Sequence, residues 1–323
     1  MTWKTRALMA TGGAALVGLA GLGLAASRCE AVGHPTVPSA LGTPSSGAAL
    51  EALVDQPGPL EVETVVSANW VVDRSKIINL EHPAAIAAGL EDGDEPIQVY
   101  FHVLRHPTRG TFLIDTGVER ALKNDPAHAA FHGFIASYMH MEKMDVVHPL
   151  GDWLQEHNVR LDGVFFTHLH LDHVTGLPDV PLGTPLYAGP SEAHHRGFLN
   201  VFSRSGLDAS FDGRPPLNEW TFAPGPDGRF AGVLDVFGDG SLFALYVPGH
   251  TAGSTAYLAR TIEGPVLFTG DTASTVWGWE HSVEPGTFTA DHVQDADAMA
   301  RLHRLADEHP KIDVRLGHQA LPR

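Results

Sequence analysis

Cysteine is almost missing from this chain: Cys29 is the only one in 323 residues. No intrachain disulfide can form, so stability has to come from a buried core. A lipid on Cys29 is disfavoured, because Arg28 before it matches a lipoprotein signal poorly. Basic residues are scarce as well, 21 Lys and Arg against 38 Asp and Glu, for a formal charge of −17. That balance excludes a nucleic-acid partner, which needs a basic surface, and disfavours attachment to anionic lipid. Internal repeats and long low-complexity tracts are lacking too. Beyond residue 26 there is no apolar run long enough to cross a bilayer, so no extensive membrane domain is expected.

The N-terminus is the exception. Lys4 and Arg6 precede an apolar run over residues 7–26, and Ala25-Ala26-Ser27 offers small residues for cleavage. Residues 1–28 therefore predict an export signal or a retained membrane anchor, and with it a periplasmic or secreted protein. Removing them leaves 18 basic and 38 acidic residues, a charge of −20. Residues 29–60, with Pro35, Pro38, Pro44, Pro57 and Pro59 among Gly and Ser, predict a linker. The domain is expected over residues 61–323.

Within it, apolar and β-branched runs predict strands over 61–67, 98–105, 111–114, 185–188, 232–236, 242–247, 254–259, 265–269 and 312–316. Helices are expected over 148–157, 191–198 and 289–309, the last capped by Thr289. Residues 118–144 predict a less ordered, partly helical segment, and 203–230 a long loop. Strands dominate each half with helices interspersed, which suits two sheets in a sandwich with helices outside. Periodicity does not decide whether the sheets are parallel or mixed.

What is abundant is histidine, 20 residues. Three of them and an aspartate stand together in His168-Leu169-His170-Leu171-Asp172-His173, directly after the strand-like Val164-Phe165-Phe166. In an extended tip, side chains two apart share a side, so His168 and His170 converge on one point. Asp172 and His173 lie past the turn and can aim at a second point. Imidazole and carboxylate suit zinc and neighbouring divalent metals. A His-rich surface loop is the bland alternative. Three further turns weigh against it, each following a strand and each with glycine before the candidate ligand: Gly249-His250, Gly270-Asp271 and Gly317-His318.

These residues resemble the metallo-β-lactamase superfamily of binuclear metallohydrolases. The match comprises the cluster at 168–173, then His250, Asp271 and His318, with Asp115-Thr116-Gly117 upstream. The resemblance implies a single-domain αββα sandwich of the α/β (α+β) class. It implies that His168, His170 and His250 bind one metal and that Asp172, His173 and His318 bind the other. Asp271 would bridge both, and Asp115 would support the metal loop without binding metal. Zinc is the default, and manganese, iron, cobalt or nickel could use the same ligands. Asp271 sets the chain apart from true β-lactamases of the superfamily, and His170 from its di-iron branch. The intervals of 77, 21 and 47 residues between His173, His250, Asp271 and His318 are similar to those of N-acyl homoserine lactonases and methyl parathion hydrolase-like enzymes. Those lactonases commonly carry a tyrosine three positions after the bridging aspartate; here Ser274 stands there.

The resemblance implies hydrolysis of a lactone or ester, such as an N-acyl homoserine lactone, by a hydroxide shared between two metals. Asp271 would hold the metals, and Asp172 or a bound water would carry the proton, a choice the sequence leaves open. Phosphotriester or β-lactam hydrolysis is the alternative within the same chemistry, and an exported metal-binding protein without turnover is the alternative outside it. The expected partner is a small molecule, and the sequence leaves the oligomeric state open. Phe131, Phe134, Met139, Trp277 and Trp279 are the candidate pocket residues, with a core role as the alternative for each.

Overall fold

The structure, a computed structural model, describes residues 29–197, 200–225 and 227–322. The expected export signal lies outside the described residues. Two mixed sheets form the centre. The eight-stranded sheet runs Thr36–Pro38, Leu217–Glu219, Leu186–Ala188, Gly163–Phe165, Gly110–Ile114, Asp94–His106, Glu61–Asp73, Asp145–Val146. Its first five strands are parallel to one another and its last four pair antiparallel. The six-stranded sheet runs Asp313–Arg315, Pro265–Phe268, Thr255–Arg260, Leu242–Tyr246, Gly232–Asp235, Thr43–Ser45. Only its first pair is parallel.

Alternation along the strands builds the layers. Phe112, Ile114 and Phe165 point from the first sheet to Leu234, Ala244, Tyr257 and Phe268 of the second, forming the core between the sheets. Their neighbours Leu113, Val164 and Val103 point the other way, against Trp153, Val174 and Phe211 of outer helices. On the far face, Phe243, Leu245 and Leu258 meet Leu50, Leu302 and Leu305. Successive side chains of one strand face opposite sides, so a strand buried on both faces reads as a continuous apolar run. The arrangement is the expected αββα sandwich.

Four expectations need correction. The stretch over residues 29–60 is no linker: it adds a strand to each sheet and a helix, Gly47–Val54, whose Leu50 and Val54 are fully buried. The helix expected over 191–198 is a turn through residues 191–194, and the expected loop over 203–230 holds most of helix Asn200–Phe211 and the strand Leu217–Glu219. The last long helix is His292–Glu308, capped by Asp291, whose side chain accepts from Gln294 N. Thr289 is free for another use.

Glu119, just past Asp115-Thr116-Gly117, is 4% exposed, and its Oε1 accepts from Ala130 N at 2.7 Å. Burial raises its carboxyl to about 7, against the pull of the Ala130 N–H and with a push from Asp179. A carboxyl with a raised folded pKa favours the fold below its unfolded pKa and loses that contribution as pH rises to its folded value. Glu119→Gln keeps the acceptor and removes the charge. It is expected to stabilise the protein at pH 8 by about 1–3 kcal/mol and to change little at pH 4.5. Thermal melts at the two pH values check this; an equal shift at both would refute it.

Candidate active site

The site sits at one edge of the sandwich, where strands of both sheets end. His168, His170, Asp172 and His173 follow Gly163–Phe165 of the first sheet. His250 follows Leu242–Tyr246, Asp271 follows Pro265–Phe268 and His318 follows Asp313–Arg315, all of the second. Gly317 is obligatory, because a Cβ there would lie 2.1 Å from Asp271 Oδ1. Gly270 adopts φ 52°, and a Cβ on it would press on Thr167 at 2.7 Å. These are close approaches that only glycine permits.

All seven expected ligands converge. His168, His170 and His250 form one group, and Asp172, His173, Asp271 and His318 a second; within each, the candidate ligand atoms lie within 4.8 Å of one another. Asp271 spans the two. Its Oδ1 is 3.5 Å from His173 Nε2, and its Oδ2 is 3.2 Å from His318 Nε2 and 3.7 Å from His250 Nε2.

Hydrogen bonds behind the rings decide which nitrogen faces inward. Asp115, itself at φ 56°, takes Thr167 N on Oδ1 at 2.8 Å and His173 Nδ1 on Oδ2 at 2.7 Å. The Thr167 hydroxyl also donates to Asp115, so it accepts from His168 Nδ1 at 3.1 Å. Thr289 donates to Pro285 O and therefore accepts from His250 Nδ1 at 3.2 Å. His318 Nδ1 donates to Gln98 O at 2.9 Å. Each of these rings thus turns Nε2 inward, which is how proteins orient ligating imidazoles. The Nε2 atoms of His168, His173 and His318 and Oδ1 of Asp271 are buried without a hydrogen-bond partner. Buried orphans are costly, and these four, one in the first ligand group and three in the second, fit cations held there.

Charge divides the groups. Burial, joined by the neighbouring imidazoles, pushes His168 well below its usual value. Burial likewise lowers His170 to about 4 and His250 to about 3. These three are neutral at pH 7, with lone pairs available to a metal. In the second group burial is outweighed: Asp115 and Asp271 raise His173 well above its usual range, and Asp271 with Asp172 raises His318 to about 10. The same contacts hold Asp172 at about 2 and Asp271 well below its usual range, again against burial. Without metal, protons on His173 and His318 supply the positive charge that this anionic cluster requires.

A narrow cavity, open at its mouth to solvent, leads to the metal groups. His170, Asp172, His250 and Asp271 form its floor; Trp70, Val72, Ile97, Met139, Leu171 and Phe288 are among its apolar walls. Of the five expected pocket residues only Met139 lines it. Phe131 is core, packed against Gly206, and Phe134 is 66% exposed, stacked on Tyr138 and tilted against Phe202. Trp277 lies on His281 and Trp279 against His303, both turned away from the cavity. Sequence reasoning missed Trp70 and Ile97, which extend strands already expected, and Phe288, which follows a loop. Ser274 is buried outside the cavity, with its carbonyl accepting from His318 N.

A family model for the Metallo-beta-lactamase superfamily matches residues 94–318. The chain is 32% identical over 232 residues to N-acyl homoserine lactonase AttM of Rhizobium johnstonii, a match covering 70% of this chain and 83% of that protein. A crystal structure of a quorum-quenching N-acyl homoserine lactone lactonase is similar with a TM-score of 0.57 at 18% identity, over 82% of this chain and 93% of that one. AidC, a dizinc quorum-quenching lactonase in complex with its product, is similar with a TM-score of 0.55 at 14% identity, over 88% and 93%. Those two structures bear on the fold; the family model bears on the motif-bearing chain itself. The motif order, the converging ligands and the matched span agree: this chain belongs to the metallo-beta-lactamase superfamily.

Proposed function

We propose that this chain is a binuclear metal-dependent hydrolase that opens the ring of N-acyl homoserine lactones. The observation that carries the reading is the pair of ligand groups joined by Asp271 at the floor of an apolar cavity. The AttM likeness supports the substrate class, and the dizinc neighbour supports zinc in both positions. Export from the cytoplasm, directed by residues 1–28, is part of the same proposal.

His168, His170 and His250 would hold one ion, Asp172, His173 and His318 the other, and Asp271 both. Bound there, two divalent cations acidify water and offset the charge that builds on the carbonyl and leaving oxygens. The chain's own residues do the rest. Trp70, Ile97, Met139 and Phe288 exclude water and receive the acyl chain, which places the lactone carbonyl over the floor. Water adds to the carbonyl carbon and the bond from that carbon to the ring oxygen breaks. Asp172, whose Oδ2 lies 3.2 Å from His318 Nε2 at the cavity floor, takes the proton that water gives up and passes it to the ring oxygen, which leaves as a hydroxyl.

The test is a panel of N-acyl homoserine lactones from butanoyl to dodecanoyl, an aryl ester, a phosphotriester and a β-lactam, run on metal-loaded protein. Lactones are expected to be the best substrates, with kcat/KM rising with chain length. Faster turnover of the phosphotriester or the β-lactam would overturn the reading. Met139→Trp narrows the cavity, and is expected to lower kcat/KM for the decanoyl lactone by about 10-fold while sparing the butanoyl one. An equal loss on both would show that the acyl chain lies elsewhere.

A further inference from the structure

We propose that Glu192 is a positioning residue that couples the two loops carrying His168, His170 and His250, and so sets the metal affinity of that group alone. The inference rests on the metal-binding reading of the site, not on the identity of the substrate.

Glu192 follows the strand Leu186–Ala188 and is 2% exposed. Its Oε1 accepts from Leu169 N at 2.9 Å, on the backbone between His168 and His170. Its Oε2 accepts from Thr251 Oγ1 at 2.9 Å and from Gly253 N at 2.8 Å, on the loop that begins at His250. The first loop ends a strand of one sheet, and the second ends a strand of the other. One carboxylate therefore ties together ligands that the sheets deliver separately.

Three features make the tie specific. All three partners are donors: two N–H groups and a hydroxyl. Thr251 N donates to Ser254 Oγ at 2.9 Å, and Ser254 Oγ lies 2.8 Å from Thr251 Oγ1. Ser254 can thus give its proton to Thr251, whose own proton goes to Glu192. An acceptor-only group answers such a set, and an amide does not, because its NH2 would face an N–H or the hydroxyl. Space is the second feature. A Cβ on Gly253 would come within 2.6 Å of Glu192 Oε2, and one on Gly189 within 1.7 Å of Gly253 O. The third is backbone strain: Ser191 stands at φ 60°, a region that non-glycine residues avoid. That turn aims Glu192 inward.

A second buried carboxylate, Asp115, bonds His173 of the second group directly and reaches His168 of the first only through the Thr167 hydroxyl. The division predicts which ion each substitution loosens. Glu192→Gln is nearly isosteric, keeps one acceptor and introduces the wrong donor. In a cobalt(II) titration of the metal-free full chain, it is expected to weaken binding to the His168, His170 and His250 group by about 10–100-fold. At cobalt concentrations that load about two ions on the parent, it would carry about one. Asp115→Asn is expected to loosen the other ion, with a different change in the cobalt visible spectrum. Thr251→Val removes a single bond to Glu192 and should lose affinity at the same group as Glu192→Gln, but by less.

A merely structural role would lower the melting temperature of the metal-free variant and leave its cobalt isotherm and spectrum at the parent's. That result overturns the inference. If Glu192→Gln does not fold, Thr251→Val decides, and cobalt affinity equal to the parent's again overturns it. Cobalt loss in these variants, with no lactone turnover by the parent, would remove the lactone reading and leave this inference standing. Parental cobalt binding in both, with full turnover by the parent, would do the reverse.

Discussion

Asp271→Ala is expected to lower kcat/KM for the best lactone by about 1,000-fold and to leave the protein with fewer than two bound metal ions per chain. Both carboxylate oxygens of Asp271 are engaged, one toward His173 and one toward His318 and His250. The other carboxylate in reach, Asp172, belongs to the second group alone, and Gly317 presents only backbone, so neither joins the two sets. Alanine leaves His173 with Asp115 and His318 with Asp172, but removes the carboxylate shared by the two ligand sets, so no group spans them. Asp271→Asn separates charge from shape, since it keeps the volume and one acceptor. Its loss should be nearly as large if the negative charge is what draws the cations together. The check is kcat/KM with metal analysis on the same samples, beside the melting temperature of the metal-free forms. A folded Asp271→Ala protein that kept two metals and more than a tenth of parental kcat/KM would remove Asp271 from the mechanism.

Asp271 was legible in the sequence for a local reason: ligands ending strands are announced by the glycines that let loops close on a metal. Gly270 touches Thr167, Gly317 touches Asp271, and Gly249 at φ 148° lies against Asp295. The sheets were legible because strands covered on both faces are apolar throughout, as in Leu242–Tyr246 and Pro265–Phe268. Long-range pairing left no such mark. Thr36–Pro38 is a strand because Leu217–Glu219 lies beside it, so its Pro and Gly neighbourhood reads as linker in isolation. Helix Asn200–Phe211 carries Ser203, Ser205, Gly206 and Ser210, poor helix formers, and Gly206 is there to admit the ring of Phe131. Thr289 reads as a helix cap until His250, 39 residues earlier, turns out to be its partner. The cavity walls escaped for the same reason, since Trp70, Ile97 and Phe288 meet only in the folded chain.

Stripping the metals with a chelator is expected to abolish hydrolysis, and zinc to restore it; the loss in melting temperature should depend on pH in a definite direction. Ligands that bind only the folded state stabilise it by about 4 kcal/mol at 1,000 times their Kd, or about 10 °C for a domain of this size. The metal-free protein partly compensates through protons on His173 and His318, held by Asp115, Asp172 and Asp271. His318 has a folded value of about 10, above its ordinary 6.5. Its contribution is therefore complete below pH 6.5 and is lost as pH rises toward 10. Asp172, held near 2, contributes above its ordinary 3.8 and loses that only as pH falls through 2, outside the range of interest. Metal binding needs the opposite state, neutral imidazoles, and strengthens as pH rises. The gap in melting temperature between metal-loaded and metal-free protein should therefore widen from pH 6 to pH 9. Paired thermal melts measure it directly. A gap that stayed constant, or narrowed, would mean that protons and metals do not compete for His318, and that the second ligand group is held together by something other than charge.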